Sequence, residues 1–153
     1  MNPYLPLWEH IPDGEPHVFG DRVYLYGSHD RSHGTTFCMD DYVCWSAPLS
    51  DLNDWRREGV VWRKTDDPDN CNPVGYLYAP DVAQGPDGRY YLYYFYSGSA
   101  QRTPSIGVAV CDTPAGQYQY YGKVHLPETT RYLAFDPAVF VNDDGRVWLY
   151  YGS

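Results

Sequence analysis

The sequence contains no long apolar run. Nowhere in its 153 residues do about 18 consecutive apolar residues occur, so it predicts no membrane-spanning helix. The first residues, Met1 to Pro6, have neither the basic segment nor the apolar core of a signal peptide. We therefore expect a cytoplasmic protein that has no membrane partner.

Basic residues are also scarce. The chain has 11 Lys and Arg against 20 Asp and Glu, which gives a net charge of −9 and a pI near 4.7. Nucleic acids and anionic membranes are bound through clustered cations, and no cluster of Lys or Arg occurs here. The composition therefore argues against a nucleic-acid partner and is compatible with a neutral ligand. It gives no indication of the oligomeric state.

Cysteines are few and do not form a recognisable site. The four, Cys38, Cys44, Cys71 and Cys111, have the spacing of neither a zinc ribbon nor a redox Cys-x-x-Cys motif. Without an export signal, we expect them to be reduced thiols. The sequence predicts no metal site.

Aromatic residues are abundant: they make up 18% of the chain and include 17 tyrosines. Aromatic and β-branched residues favour strands, and no segment of convincing length has the apolar periodicity of a helix. A strand–turn–strand segment occurs three times, at residues 15–26, 80–94 and 136–151. In each copy a turn containing Gly and Asp separates the strands, which predicts a hairpin.

A repeat of roughly 60 residues built from strands is typical of propeller blades, which have four strands each. Residues 43–61 and 108–124 share a second, weaker pattern, which we interpret as the two outer strands of each blade. At this length the chain holds about two and a half blades. We predict an all-β fold in which residues 1–153 form the N-terminal portion of a single, incomplete β-propeller domain.

The three repeats place carboxylates beside a proline at nearly equivalent positions. Glu15 and Asp136 directly precede the proline, and Asp81 follows it. Because the innermost strands of a propeller converge on its axis, these side chains are expected to approach one another. Carboxylates brought together shift each other's pKa, which is tolerated mainly where they have a function.

The residues of these repeats resemble glycoside hydrolase family 43, the five-bladed β-propeller family of β-xylosidases, α-L-arabinofuranosidases and arabinanases. The blocks that carry the resemblance are Gly14–Val18 with Tyr24–Ser28, Tyr78–Val82 with Tyr90–Tyr94, and Phe135–Phe140 with Asp143–Arg146. The resemblance covers nearly the whole chain and implies cleavage of O-glycosidic bonds in arabinose- or xylose-containing glycans, with inversion.

The resemblance also implies roles for individual residues. Glu15 stands at the position of the general base, where family members have Asp, and Asp13 is a less favoured substitute. Asp136 stands at the position of the Asp that tunes the pKa of the general acid. That acid, a Glu in the family, would follow about one blade later, beyond Ser153. Inverting enzymes keep their two catalytic carboxyl groups about 6.5–9.5 Å apart. The one extra methylene of Glu at the position of the base changes this separation by an amount that the range accommodates.

Two further residues are candidates for substrate binding. His17 could line the pocket beside Glu15, and Asp81 could do so unless it caps a local turn instead. The resemblance implies no organic cofactor. Some relatives carry an axial calcium ion, but no pattern in this sequence indicates one.

Two alternative functions compete with this interpretation. Fructan and sucrose hydrolases of the same fold have Arg where this sequence has Phe135, which disfavours them. A non-catalytic propeller that binds carbohydrate or another protein stays open, because Glu replaces Asp at the position of the base.

Overall fold

The computed structural model describes residues 4–69, 75–97, 105–127 and 134–152. In these ranges the protein is all-β, and no helix long and apolar enough to cross a membrane is present. The strands are β1 (Glu15–Phe19), β2 (Arg22–Tyr26), β3 (Tyr42–Pro48), β4 (Arg56–Trp62), β5 (Tyr76–Leu77), β6 (Asp81–Gln84), β7 (Tyr90–Ser97), β8 (Ile106–Cys111), β9 (Gln119–Lys123), β10 (Phe135–Val141) and β11 (Val147–Gly152).

The first blade is an antiparallel sheet in the order β1-β2-β3-β4. Its first hairpin turns at Gly20, which has a φ of 63° that a residue without a Cβ adopts at little cost. The hairpin register pairs Glu15 with Tyr26 and His17 with Tyr24. Because paired residues point to the same side of a sheet, the charged and aromatic residues of β1 and β2 share one face.

The second blade repeats this arrangement with a break in its innermost strand. β7, β8 and β9 follow one another in the sheet, and both β5 and β6 pair with β7. β5 pairs with Tyr96 and Ser97 at the end of β7, whereas β6 pairs with the residues from Tyr90 to Tyr93. The inner strand is therefore interrupted at residues 78–80, which lie beside the propeller axis.

The third repeat is a hairpin of β10 and β11. The register of the pair shifts between Phe135 and Ala138, so Asp136 and Pro137 form a bulge. The hairpin turns at Gly145, whose φ is 80°, and the Gly145 N–H donates to the Asn142 carbonyl over 2.9 Å.

The main core lies between the first and second blades. Its fully buried members come from both sheets and include Tyr26, Tyr42, Cys44, Val61, Trp62, Leu77, Val82, Leu92, Tyr94, Ala109 and Tyr118. A smaller cluster of Leu25, Val43 and Trp45 covers the opposite face of the first blade. Burial of aromatic side chains between the sheets fixes how the first two blades stack and therefore where their inner strands meet.

The structure confirms the all-β architecture and the predicted hairpins. The second strand of each predicted hairpin is observed, as β2, β7 and β11. The weaker repeat corresponds to β3–β4 and β8–β9, the outer strands of the two blades. The domain assignment of residues 1–153 stays a prediction. Cys38, Cys44 and Cys111 are free thiols, and Cys71 lies outside the described residues.

Candidate functional site

The predicted acids lie around a cavity where the three inner strands converge. The cavity measures about 350 Å³, within the size range of small-ligand sites. Its lining comes from the segments before and within β1, β6 and β10: Asp13, Gly14, Glu15, Ala79, Pro80, Asp136, Pro137 and Ala138. Two sequence-predicted catalytic residues, Glu15 and Asp136, therefore face one space, although 121 positions separate them along the chain.

The strand registers show which residues of the first and third repeats are structurally equivalent. β2 and β11 share the pattern Val, aromatic, Leu, Tyr, which ends at Tyr26 and Tyr150 respectively. Glu15 pairs with Tyr26, and Ala138 pairs with Tyr150. Glu15 is thus the counterpart of Ala138 rather than of Asp136.

The counterpart of Asp136 is Asp13. Each lies two residues before the residue that pairs with the tyrosine, and both have a left-handed backbone, with φ of 54° at Asp13 and 49° at Asp136. Such values are uncommon outside glycine, cost about 1–3 kcal/mol each, and cluster at functional sites. Aligning the repeats on their prolines displaces the first repeat by two residues, because Gly14 stands where the third repeat has Pro137.

The two aspartates interact electrostatically. Partial withdrawal of its carboxyl from water raises the pKa of Asp136, and the nearby negative charge of Asp13 raises that pKa further. Asp13 is held by Ser28, whose hydroxyl donates to Asp13 Oδ2 over 3.3 Å. Like charges kept close in one cavity are a costly arrangement that is common in active sites.

A loop after β2 lies near this acid pair. Burial raises the pKa of the Cys38 thiol, and the charges of Asp13 and Asp136 are among the weaker contributions in the same direction. The Cys38 N–H donates to Asp30 Oδ1 over 2.6 Å, and its carbonyl accepts from the Leu77 N–H over 3.4 Å. Cys38 therefore connects the first blade to the inner strand of the second beside the cavity.

Tyr42 contacts the segment that leads into the cavity lining of the second blade. Its side chain is buried in the core, and its hydroxyl donates to the Tyr78 carbonyl, one residue before the cavity-lining Ala79. Burial raises the pKa of Tyr42 well above its ordinary value, so the hydroxyl stays a donor.

The two predicted substrate-binding residues contact each other. His17 Nε2 lies 2.6 Å from Asp81 Oδ1, and Asp81 is only 3% exposed. His17 also stacks on Phe19, with ring centroids 5.8 Å apart and an interplanar angle of 12°. Neither residue lines the axial cavity. Contact of either with a substrate stays an untested prediction.

Sequence reasoning missed Ser28 and Cys38 and ranked Asp13 below Glu15. One signal could have ranked Asp13 higher: aligning the repeats on their aromatic strands, rather than on their prolines, places Asp13 opposite Asp136. Ser28 and Cys38 have no such signal, because only the folded loop brings them to the cavity.

The described residues offer no ligand set for a metal ion. Within the four described ranges, no group of three or more His, Cys, Asp or Glu side chains is arranged to hold one. His17 and Asp81, which lie near the axial cavity without lining it, are hydrogen-bonded to each other. The axial calcium ion of some relatives stays an untested expectation.

A larger cavity, of about 760 Å³, lies away from the acids. It separates the outer part of the second blade, at Tyr91 and Tyr121, from Val141 and Val147 of the third repeat. The carboxylate that lines it, Asp87, forms an ion pair with Arg89 over 2.7 Å. Because no acid pair faces this space, the axial cavity is the better candidate for chemistry.

The sequence profile of Glycosyl hydrolases family 43 matches residues 7–153. The chain belongs to glycosyl hydrolase family 43. It is 56% identical to a xylosidase/arabinosidase of Thermoclostridium stercorarium over 99% of this chain and 33% of that protein. It is 37% identical to xylosidase/arabinosidase 43A of Humicola insolens over 97% of this chain and 46% of that protein.

Solved structures of family 43 enzymes superpose on the protein. CoXyl43, a β-xylosidase/α-arabinofuranosidase from a compost metagenome, was determined with xylotriose in a calcium-free form. It matches with a TM-score of 0.76 and 34% identity, over 99% of this chain and 45% of that one. The GH43_1 enzyme of Xanthomonas citri matches with a TM-score of 0.76 and 32% identity, over 99% of this chain and 42% of that one.

These matches confirm the predicted architecture. Family 43 enzymes are five-bladed β-propellers, and the chain covers part of that fold, as predicted. It spans between a third and a half of the length of these relatives.

Proposed function

We propose that the whole protein hydrolyses O-glycosidic bonds in arabinose- or xylose-containing oligo- or polysaccharides, with inversion of the anomeric centre. The observation that carries this proposal is the pair of aspartates, Asp13 and Asp136, in equivalent left-handed positions on one axial cavity. Relatives described as xylosidase/arabinosidase, and CoXyl43 with its bound xylotriose, support a pentose substrate.

In the proposed reaction, Asp13 is the general base. Its carboxylate removes a proton from a water molecule, which attacks the anomeric carbon from one side while an acid protonates the leaving oxygen on the other. Ser28 donates a hydrogen bond to the Asp13 carboxylate and holds it in orientation. Glu15 lines the same cavity and is the alternative base.

Asp136 has the second role. As an anion in the cavity, it raises the pKa of a neighbouring carboxylic acid by like-charge repulsion, which keeps that acid protonated near neutral pH. The family resemblance assigns the acid to a glutamate in a later blade. No step in this scheme uses a cofactor.

The test compares the two candidate bases in the full-length protein. With chromogenic β-xylosides and α-arabinofuranosides, we expect Asp13→Asn to lower kcat by about 10²–10⁴-fold, the range for loss of a general base. The matched variant Glu15→Gln, in the same cavity, should keep kcat within about 10-fold. The reverse order would assign the base to Glu15.

Azide separates loss of the base from general damage. Azide is a nucleophile that needs no deprotonation, so it should restore leaving-group release in Asp13→Ala if only the base is missing. NMR of the first sugar released by the wild type should show the inverted anomer. Sugar binding without turnover of any pentoside would instead support a non-catalytic propeller.

A further inference from the structure

Asp81 is the most deeply buried carboxylate near the propeller axis, and three strands meet at it. Its Oδ1 accepts hydrogen bonds from His17 Nε2 over 2.6 Å and from the Val82 N–H over 2.7 Å. Its Oδ2 accepts from the Val139 N–H over 2.5 Å. One side chain of β6 therefore bonds to β1 of the first blade and to β10 of the third.

These bonds lie close in sequence to the acids of the cavity. His17 lies on β1 with Glu15, two residues after it, and is four residues after Asp13, which precedes the strand. Val139 is three residues after Asp136, just past the bulge that gives Asp136 its left-handed backbone. Asp81 thus contacts both acid-bearing segments without lining the cavity itself.

The chemistry of this position requires a carboxylate. The Val139 and Val82 amides can only donate, so their partner must accept from both, and an ionised carboxylate accepts on both of its oxygens. A charge buried this deeply is costly unless it is fully hydrogen-bonded, and the three donors provide that compensation. The equivalent places in the other repeats hold Glu15 and Ala138, so an aspartate stands at this place in the second repeat alone.

We propose that Asp81 is a positioning residue that joins β1 and β10 across β6 and so sets the relative placement of the two acids. The inference rests on the proposed hydrolase function, but it holds whether Asp13 or Glu15 is the base, because both precede His17. In this proposal, an acid is needed at position 81 to join the two strands rather than to contact the sugar.

The test uses Asp81→Ala in the full-length protein, with Asp67→Ala as the matched control. Asp67 is also a buried carboxylate, 6% exposed, and accepts from the Tyr94 hydroxyl over 2.7 Å, but it does not line the axial cavity. Both variants should lower Tm. At a temperature where both are folded, Asp81→Ala should lower kcat about 100-fold with KM changed less than threefold, as expected for misplaced catalytic groups.

The control should keep kcat within about twofold under the same conditions. His17→Phe preserves the stacking on Phe19 but removes the bond to β1, and it should give an intermediate loss of about 10-fold in kcat. Equal kcat for folded Asp81→Ala and wild type would overturn the positioning role.

Hydrogen exchange gives a readout that does not depend on activity. In Asp81→Ala the backbone amide of Val139 should lose protection, and β1 should exchange faster, whereas Asp67→Ala should leave both unchanged. If the wild type cleaves no pentoside, the proposed function fails, but hydrogen exchange still tests whether Asp81 joins β1 to β10. Unchanged protection of both strands in Asp81→Ala would overturn that connection.

Discussion

At the scale of single residues, partial burial and the charge of Asp13 make the ionised form of Asp136 less favourable in the folded protein. The raised pKa of Asp136 means that the folded protein binds its proton more tightly than the unfolded chain does. Stability contributed by this group is therefore fully present below the ordinary Asp pKa and is lost as pH rises through the raised value. At neutral pH, the ionised carboxylate makes folding less favourable.

We accordingly expect Asp136→Asn to raise the Tm of the full-length protein at pH 7 while abolishing most turnover. Asn tolerates the left-handed backbone at this position, so the substitution removes charge without adding strain. The gain in Tm should shrink as pH falls toward the ordinary pKa of Asp, which thermal melts from pH 8 to pH 4 would follow. Asp143→Asn, in the exposed turn after β10, is the control and should change Tm little.

At the scale of elements, the end of β2 holds the Asp13 segment in place by close contact. A Cβ added at Gly27 would lie 2.4 Å from Ile11 Cγ2 and 2.8 Å from the Pro12 carbonyl oxygen. Real Cβ atoms do not approach that closely, so the segment would have to move. The absence of a side chain at Gly27 thus lets residues 11–14 pack against the end of β2, which places Asp13 at the cavity.

We expect Gly27→Ala to lower kcat by about 10–100-fold in the full-length protein, because the proposed base would shift relative to the substrate. The matched control is Gly122→Ala in β9, where an added Cβ meets nothing within 4 Å. That variant should retain wild-type kinetics. Unaltered kcat in folded Gly27→Ala would argue that Asp13 does not depend on this contact.

Local sequence patterns predict some elements of this fold but not the contacts between distant strands. Segments rich in aromatic and β-branched residues, separated by turns that contain Gly and Asp, predict the hairpins, because both are local features of the chain. The bulge at Asp136 and Pro137 is not local, because it depends on how β10 pairs with β11. Aligning the repeats on their prolines therefore sets Glu15 opposite Asp136, whereas the strand registers set Asp13 there. The partners of Asp81 come from strands 64 and 58 positions away, and only the stacked blades reveal them.

At the scale of the whole molecule, the third repeat exposes one aromatic face. Phe140 pairs with Trp148, and Tyr150 lies two residues further along the same strand, so these three side chains point to one side. They are 58%, 49% and 63% exposed. The opposite side of the hairpin, at Val141 and Val147, faces the second blade instead. An apolar face of this kind is typical of a surface that another element covers.

We expect the isolated 153-residue chain to self-associate through this face, since the relatives it matches are two to three times longer. Light scattering should show concentration-dependent oligomers, and the double variant Phe140→Lys/Trp148→Lys should reduce them. In the full-length protein the same double variant should lower Tm, because a following blade would bury both positions. Reduced self-association of the 153-residue chain, together with a lower Tm of the full-length protein, would identify the face as a contact between blades. A monodisperse monomer of the 153-residue chain, with no Tm change in the full-length variant, would refute it.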